Sequence, residues 1–246
     1  MRKTLQANRA EIEKSLGTLP GRFYFSPATY GQWRTLAPLL RDHVHGKVID
    51  LGCGSMPFRE SLPKNTTAYH TLDLHPRSVD VTYAADIQDM WMIAEGSYDT
   101  ALCFETLEHV PDPFRAAHEI YRILRPGAKL LMSVPHLSRL HDEPHDYYRF
   151  TSYGLRHLLS RAGFVVLEIH RRGGLVSFLG HQVSSVFLSA AWSVTALRKP
   201  AWFVNKWLVT KSCYWLDRLL DRSDVFALGF VAVAQKPVCG TPEELT

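Results

Sequence analysis

The densest cluster of residues able to do acid–base chemistry lies between positions 136 and 146. Three histidines and three carboxylates fall within these eleven residues, in a chain that has twelve histidines in all. Histidine exchanges protons near neutral pH, which makes it the natural general base. We therefore predict that His141 or His145 is a catalytic base. We further predict that Arg149 either binds an anionic or hydroxylated substrate, the acceptor in the reaction, or closes the site.

The same cluster has two other interpretations. His136, His141 and His145 could bind a metal ion together with an acid, but their spacings match no helix-borne ligand motif, so no metal is predicted. Alternatively, residues 145–149 only tie a long loop to the rest of the domain.

A second group, D-L-G-C-G at residues 50–54, is typical of a ligand-binding turn. A strand-type apolar run leads into Gly52 and Gly54, and glycine lets main-chain N–H groups approach a ligand closely. A dinucleotide-binding loop would carry a third glycine where Pro57 stands, which argues against a bound pyrophosphate. Asp73 follows Gly54 by 19 residues, where a ribose-binding carboxylate belongs. The pattern predicts a nucleoside pocket without a pyrophosphate.

The elements that must position these residues alternate along the chain. Helical patterns separate the later strand-like runs, which is typical of parallel strands joined by crossover helices that cover both faces of a sheet. Ligands in such α/β folds bind at the carboxyl ends of the strands, so the glycine loop, Asp73, Asp86 and Glu105 should share one rim. The predicted strands are 47–50, 68–73, 79–83, 98–104, 129–134, 164–170 and 227–234, and the predicted helices include 29–44, 114–124 and 152–162.

Six motifs occur in a fixed order along the chain. They are D-L-G-C-G at 50–54, Asp73, Asp86 with Ile87, Y-D-T-A-L-C at 98–103, L-E-H-V at 107–110 and L-R-P-G at 124–127. In order and spacing they resemble the motifs of class I S-adenosylmethionine-dependent methyltransferases, over about residues 46–171. The resemblance implies S-adenosyl-L-methionine as cofactor and a doubly wound, seven-stranded Rossmann-like sheet, mostly parallel with an antiparallel last strand. One departure is Met56, followed by proline, at the family's third glycine.

The resemblance also implies roles for single residues. Asp73 would bind the ribose hydroxyls, and Asp86 with Ile87 would contact the adenine, although Asp86 could instead form an Asx turn after its strand. His109 is expected to hydrogen-bond backbone, with catalysis as the alternative. Asp50 is expected to orient the loop through backbone N–H groups. The full set of predicted cofactor-binding residues is Asp50, Gly52, Cys53, Gly54, Asp73, Leu74, Asp86, Ile87 and Glu105.

Composition excludes several classes of protein. The chain has 246 residues, 46% hydrophobic and 21% charged, which are values for a globular protein and not for a disordered one. A net charge of +4 without a Lys/Arg-rich run argues against nucleic acid as a partner. Four widely spaced cysteines suggest neither a zinc site nor a disulfide framework. We expect a cytoplasmic protein, and no secretory signal is recognisable at the N-terminus.

The stretch before the last strand has an unusual composition. Residues 173–197 carry no formal charge, but eight of these 25 positions are Ser, Thr, His or Gln and three are Gly, which disfavours a membrane span. Residues 200–220 combine three tryptophans with lysine and arginine, a composition suited to an amphipathic helix in a membrane interface. A helical cap over the acceptor pocket is the preferred interpretation, with peripheral membrane contact through 173–220.

These expectations combine into one prediction. The chain is organised as an N-terminal helical cap (1–45), a cofactor-binding core (46–171), a helical insert (172–222), the final strand of the core (223–236) and a flexible tail (237–246). It transfers a methyl group to oxygen, in preference to nitrogen or carbon, on a small-molecule, sugar or lipid-linked acceptor. A non-catalytic S-adenosylmethionine-binding module is the alternative, and the oligomeric state stays open. The run at 144–151, P-H-D-Y-Y-R-F-T, loosely resembles a subgroup associated with bacterial surface glycans or lipid-linked sugars.

Overall fold

The computed structural model describes residue 12 and residues 21–76, 78–220 and 223–238. Apart from Ile12, residues 1–20 of the predicted N-terminal helical cap lie outside the described residues, as does the tail from residue 239 onwards. Contacts between Cα atoms divide the chain into two compact units. The sheet unit comprises residues 37–170 and 229–246, and the helical unit comprises residues 1–36 and 171–228.

Seven strands form one sheet. They are β1 (Gly46–Leu51), β2 (Thr66–Asp73), β3 (Tyr83–Ala84), β4 (Tyr98–Phe104), β5 (Leu124–Pro135), β6 (Val165–Arg172) and β7 (Gly229–Gln235). Their spatial order is β3-β2-β1-β4-β5-β7-β6. β1 pairs in parallel with β2 and β4, whereas β7 runs antiparallel to β5. The predicted doubly wound sheet with an antiparallel last strand is therefore confirmed.

The centre of the sheet is buried because its strands are continuous apolar runs. β1 buries its last four side chains and β7 buries six of seven, which is expected where helices cover both faces of a parallel sheet. Three helices flank these strands in the sequence: α1 (Pro27–His43), α2 (Pro113–Ile123) and α3 (Ser152–Arg161). The carboxylate of Asp112 caps α2 by accepting the N–H groups of Phe114 and Arg115 at 3.1 and 3.0 Å.

Two local predictions were wrong. The strand expected at 79–83 is only two residues long, and Val79 is fully exposed. Side-chain hydroxyls take the place of a longer ladder there, since Thr71 Oγ1 donates to the Asp80 carbonyl and accepts the N–H of Thr82 at 3.2 and 2.9 Å. The L-R-P-G turn at 124–127 already belongs to β5, because Leu124 pairs with Tyr98 before a register shift.

The helical unit contains the stretch before the last strand. It folds into α4 (Leu175–Trp192), α5 (Thr195–Val204), a π-helix (Asn205–Lys211) and α6 (Ser212–Leu220). Asp217 of α6 is buried and accepts the N–H groups of Gly174, Val176 and Ser177 at 2.8–2.9 Å, which satisfies the first turn of α4. By length and composition alone, α4 could cross a membrane, but half of that window is buried inside the protein.

Aromatic side chains near the start of α1 pack against one another. Tyr24 stacks on Tyr30 at 5.3 Å between ring centroids, and Phe23 stacks on Trp33 at 5.5 Å. Tyr30 also contacts Tyr214 edge-on at 5.1 Å, within the same helical unit. The cluster therefore contributes to packing.

Candidate active site

The loop that follows β1 needs glycine at two positions for different reasons. Gly52 has φ +70°, and a Cβ there would overlap the side chain of Thr106. Gly54 has φ +52°, but a Cβ there would meet no atom within 4 Å. The backbone at Gly54 therefore faces open space, as a cradle for a ligand requires. Met56 holds a left-handed conformation without being glycine, with φ 53°.

Asp73, at the end of β2, is held in place by the backbone. One carboxylate oxygen accepts the N–H of Gly54 and the other accepts the N–H of His75, each at 2.9 Å. Each oxygen retains acceptor capacity for a further donor. The structure thus joins two predicted site residues and orients a carboxylate that could bind a pair of ribose hydroxyls. The next predicted residue, Leu74, is exposed.

Asp50 is placed differently from the prediction. It is buried at the end of β1 and accepts the hydroxyl of Tyr69 at 2.6 Å, while the loop N–H groups of Gly52 and Cys53 donate to the Leu72 carbonyl. Burial raises the pKa of the Asp50 carboxyl to about 6. Its hydrogen bond therefore links β1 to β2 instead of orienting the loop N–H groups.

Cys53 is buried close to two acids. Burial, together with the charges of Asp50 and Asp73, raises the pKa of its thiol to about 12. The thiol therefore stays protonated near neutral pH and contributes packing rather than nucleophilic chemistry.

The predicted adenine contact forms a turn. Asp86 Oδ1 accepts the N–H of Gln88 at 2.8 Å and its side-chain amide at 3.1 Å, which is the Asx turn expected as the alternative. Gln88 in turn accepts the N–H of Asp112, the cap of α2, at 3.0 Å. Ile87 between them is buried.

Glu105 marks the end of β4 in a strained conformation. Its φ is 50°, uncommon for a residue with a Cβ, and such residues concentrate at functional sites. Ser133 of β5 donates its hydroxyl to Glu105 Oε1 at 2.9 Å, and the Glu105 N–H donates to the Ser133 carbonyl at 3.0 Å. Two neighbouring strands therefore hold this carboxylate.

These groups fit an adenosyl ligand. The open backbone at Gly54 and the oriented carboxylate of Asp73 lie in hydrogen-bond contact with each other, at the carboxyl ends of β1 and β2. The acids Asp50, Asp73 and Glu105 follow adjacent strands, so negative charge collects at the rim where a sulfonium cofactor would bind.

The second part of the site is centred on Glu108, which the prediction did not single out. This carboxylate is fully buried, and neither of its oxygens has a hydrogen-bond partner among the described residues. The Nε2 atoms of His109 and His141 each lie 3.8 Å from its Oε1. Burial raises the pKa of Glu108, and Glu108 raises the pKa of His141 above its ordinary value.

The other ring nitrogens fix the tautomers of both histidines. Nδ1 of His109 faces the His145 carbonyl, and Nδ1 of His141 lies 3.2 Å from the Arg139 carbonyl. A carbonyl only accepts, so Nδ1 of His109 carries the proton. Nδ1 of His141 lies near two acceptors, the Arg139 carbonyl and Asp146 Oδ2 at 3.5 Å, and one donor, Arg149 Nη2 at 3.4 Å, which favours the proton on this Nδ1 as well. In the neutral rings, both Nε2 atoms are then acceptors that face an acceptor carboxylate. A proton, a donor hydroxyl or a cation is therefore needed between the Glu108 carboxylate and the two Nε2 atoms.

Glu108, His109 and His141 could also hold a metal ion by geometry, because their ligand atoms lie within 4.8 Å of one another. The metal ligands considered from the sequence were His136, His141 and His145 with an acid, and the structure does not bring this set together. His136 packs instead against the ring of Phe230, at 5.5 Å between centroids.

Arg149 uses its donors within its own loop. It forms a two-point ion pair with Asp146 at 2.6 and 2.8 Å, and it also donates to the Ser138 and Arg139 carbonyls. Arg149 lowers the pKa of Asp146 to about 2. Asp146 in turn accepts the backbone N–H of His141 at 2.9 Å. These contacts position His141, so the geometry assigns Arg149 to the loop and not to the acceptor.

His145 is placed apart from Glu108. Its side chain is exposed, and its Nδ1 lies 3.0 Å from the Tyr147 hydroxyl. Of the two candidate bases, only His141 lies beside the buried carboxylate. In the sequence, Glu108 is one of two polar residues in the L-E-H-V motif, and this position does not predict that its carboxylate is buried.

Comparison with known proteins is consistent with this site. The chain matches a family model described as a methyltransferase domain over residues 26–169. A ubiquinone biosynthesis O-methyltransferase from Xanthomonas oryzae pv. oryzae is 29% identical over 147 residues, or 52% of this chain and 61% of that protein. The chain thus spans about three fifths of the length of the curated relatives it matches.

Solved structures share the fold at low identity. The cyclase SpnF has a TM-score of 0.57 at 16% identity, with 85% of this chain and 81% of that chain covered. The 1,6-didemethyltoxoflavin-N1-methyltransferase of Burkholderia thailandensis, with bound S-adenosylhomocysteine, has a TM-score of 0.52 at 17% identity, with 83% and 77% covered.

The family model covers more than half of the chain and includes the glycine loop, Asp73 and the Glu108 group. The chain therefore belongs to the methyltransferase-domain family.

Proposed function

We propose that this chain is an S-adenosylmethionine-dependent enzyme that methylates a hydroxyl oxygen of a small-molecule or lipid-linked acceptor, with His141 as the general base. The observation that carries the proposal is the buried carboxylate of Glu108, which has no hydrogen-bond donor among the described residues and lies 3.8 Å from Nε2 of His141. The hydroxyl group of a methyl acceptor can donate the missing hydrogen bond. Such a group could enter beside the His141 ring, which is partly exposed.

The residues of the chain divide the work of this reaction. S-adenosylmethionine, when bound, supplies an electrophilic methyl group. The backbone at Gly54 and the carboxylate of Asp73 would hold it at the rim, while the chain mainly positions the acceptor oxygen. His141 takes the hydroxyl proton at Nε2, and Glu108 stabilises the resulting imidazolium.

The relatives support oxygen as the accepting atom. The curated relatives are named as O-methyltransferases of ubiquinone biosynthesis, although the match spans only 61% of their length. A structural neighbour is named as an N-methyltransferase, but at 17% identity it supports the fold alone. A lipid-linked acceptor is also in keeping with the looser resemblance of residues 144–151.

The test is transfer of tritiated methyl groups from labelled S-adenosylmethionine to lipid and small-molecule fractions of a cell extract. We expect O-methylated products, identified by mass, and a loss of kcat of about 100-fold or more in His141→Gln. Cofactor affinity, measured by calorimetry, should stay unchanged. The matched variant His145→Gln should retain kcat within about threefold, because His145 does not contact Glu108.

A second candidate function is that of a non-catalytic binding module. It predicts normal calorimetric binding of S-adenosylmethionine but no transferred label. Label found only on nitrogen would contradict O-methylation, and equal losses in both histidine variants would contradict the choice of base.

We further propose a cytoplasmic location. The cysteines within the described residues, Cys53, Cys103 and Cys213, are free thiols, and this state persists in a reducing compartment. Fractionation of cells with an antibody to the protein tests this, and recovery in a periplasmic or extracellular fraction would contradict it.

A further inference from the structure

The helical unit carries an apolar surface that none of the described residues covers. Of 28 exposed large hydrophobic side chains among the described residues, 15 lie between residues 173 and 220. Six exposed side chains of α5, the π-helix and α6 define what we call the docking surface: Phe203, Trp207, Leu208, Trp215, Leu219 and Leu220. Apolar side chains concentrated in this way mark an interaction site.

Most of the formal charges in the stretch that carries this surface are positive. Residues 173–220 contain five cationic residues, Arg198, Lys199, Lys206, Lys211 and Arg218, and one acid, Asp217. This excess of four equals the whole formal net charge of the chain, +4. Asp217 is buried and engaged by the first turn of α4, so none of the acids in this stretch faces the solvent.

Tryptophans and lysines lie next to each other on this surface. Lys211 lies 3.6 Å and Lys206 lies 5.7 Å from the ring centroid of Trp207. An open groove of about 520 Å³ is lined by Trp207, Lys211, Ser212, Trp215 and Leu216. A cationic group between two indole rings suits the boundary between phosphate headgroups and acyl chains, where tryptophan and lysine side chains both bind favourably.

We propose that the docking surface binds the surface of an anionic lipid bilayer, with the helices parallel to the membrane. An apolar face surrounded by basic residues is the pattern of an interfacial helix. A second copy of the chain fits poorly, because a symmetric contact would bring like charges together. Spanning also fits poorly, because α4 buries polar residues such as Ser177 and Ser184 inside the protein.

The test is co-sedimentation of the full chain with vesicles of phosphatidylcholine alone or with added phosphatidylglycerol. We expect binding that increases with phosphatidylglycerol content and decreases with added salt. The double substitution Lys206→Glu with Lys211→Glu should reduce the partition coefficient at least about tenfold. The matched control, Lys64→Glu with Arg156→Glu, changes the net charge equally at exposed positions of the sheet unit and should stay within about twofold.

A second pair of variants tests the apolar contribution. Trp207→Ser with Leu208→Ser should also reduce binding at least about tenfold, whereas Val79→Ser with Trp91→Ser, at exposed positions of the sheet unit, should not. Absence of vesicle binding, or equal losses in the control pairs, would overturn the proposal. The proposal would also be overturned if light scattering showed that the chain is a dimer and that substitutions in the docking surface convert it to a monomer. If circular dichroism shows that the charge-reversal variant is unfolded, the effect of salt on vesicle binding by the unmodified chain tests the electrostatic contribution instead. Binding that does not decrease with salt would contradict the proposal.

Discussion

The proton affinity of His141 depends on a carboxylate that solvent does not reach. Glu108 raises the pKa of His141 above its ordinary value of 6.5, so the neutral, proton-accepting ring becomes predominant only at higher pH. We therefore expect kcat/KM to increase with pH along a limb that lies above pH 6.5.

Glu108→Gln removes the charge that stabilises the imidazolium. The pKa of His141 should then decrease, and the ascending limb of the profile of kcat/KM against pH should move to lower pH. The control Glu60→Gln removes an exposed carboxylate elsewhere in the sheet unit and should leave the limb in place. An unmoved limb in Glu108→Gln would assign the titration to another group.

Asp73 is the residue on which cofactor affinity should depend most. A carboxylate that accepts two ribose hydroxyls contributes about 1.5–3 kcal/mol, so Asp73→Ala should weaken binding of S-adenosylhomocysteine at least about tenfold by calorimetry. Asp89→Ala, which loses only a 3.9 Å contact with Arg115, is the matched control. Equal affinities in the two variants would remove Asp73 from the site.

Sequence alone could predict the cofactor side of the site better than the acceptor side. Gly54 and Asp73 follow from local rules, because a tight turn and a strand end fix both. Glu108 could not be recognised, because its burial arises from packing of segments far apart in sequence. His141 and His145 are equally good bases in the sequence, and only the loop conformation set by Asp146 distinguishes them.

At the scale of elements, the two glycines of the turn after β1 should have different roles: Gly52 should matter mainly for stability and Gly54 mainly for cofactor binding. Gly52→Ala adds a Cβ that overlaps Thr106, and Gly54→Ala adds one that meets open space, while both positions have positive φ. Each substitution costs about 1–2 kcal/mol of backbone strain, and Gly52→Ala carries the steric overlap in addition. We expect denaturant unfolding to show the larger loss of stability in Gly52→Ala.

Cofactor binding should give the converse result when measured on the folded protein. Gly54→Ala would fill the space left for the ligand, so calorimetry should show at least a tenfold weaker affinity at a modest cost in stability. Normal affinity in a folded Gly54→Ala protein would mean that the ligand does not approach this backbone.

The strands show where the pattern of apolar residues in the sequence is sufficient to predict a strand and its ends. The run at 98–104 matches β4 at both ends, because a mostly buried segment in the middle of a sheet has few alternatives. The run at 79–83 failed because an edge segment can satisfy its backbone with the hydroxyl of Thr71 instead of a ladder. The start of β5 at Leu124 was missed because proline and glycine two and three residues later indicated a turn.

At the scale of the whole molecule, the two units should respond to different ligands. The cofactor residues lie in the sheet unit, whereas the docking surface lies in the helical unit. A ligand slows amide exchange where it stabilises local structure, so each ligand should leave its own footprint. The division follows from composition as well, since the excess positive charge falls within residues 173–220.

Hydrogen exchange followed by mass spectrometry tests this separation. S-adenosylhomocysteine should slow exchange in peptides that cover residues 50–56 and 73–76, and anionic vesicles should slow it in peptides that cover 198–220. Asp73→Ala should remove the first footprint and keep the second, because the carboxylate contacts the N–H groups of Gly54 and His75, both in the sheet unit. Lys206→Glu with Lys211→Glu should do the reverse, since those lysines are absent from the cofactor site. Vesicle protection confined to residues 50–56 would contradict the assignment of the docking surface, and loss of both footprints in either variant would mean that the two sites do not act separately.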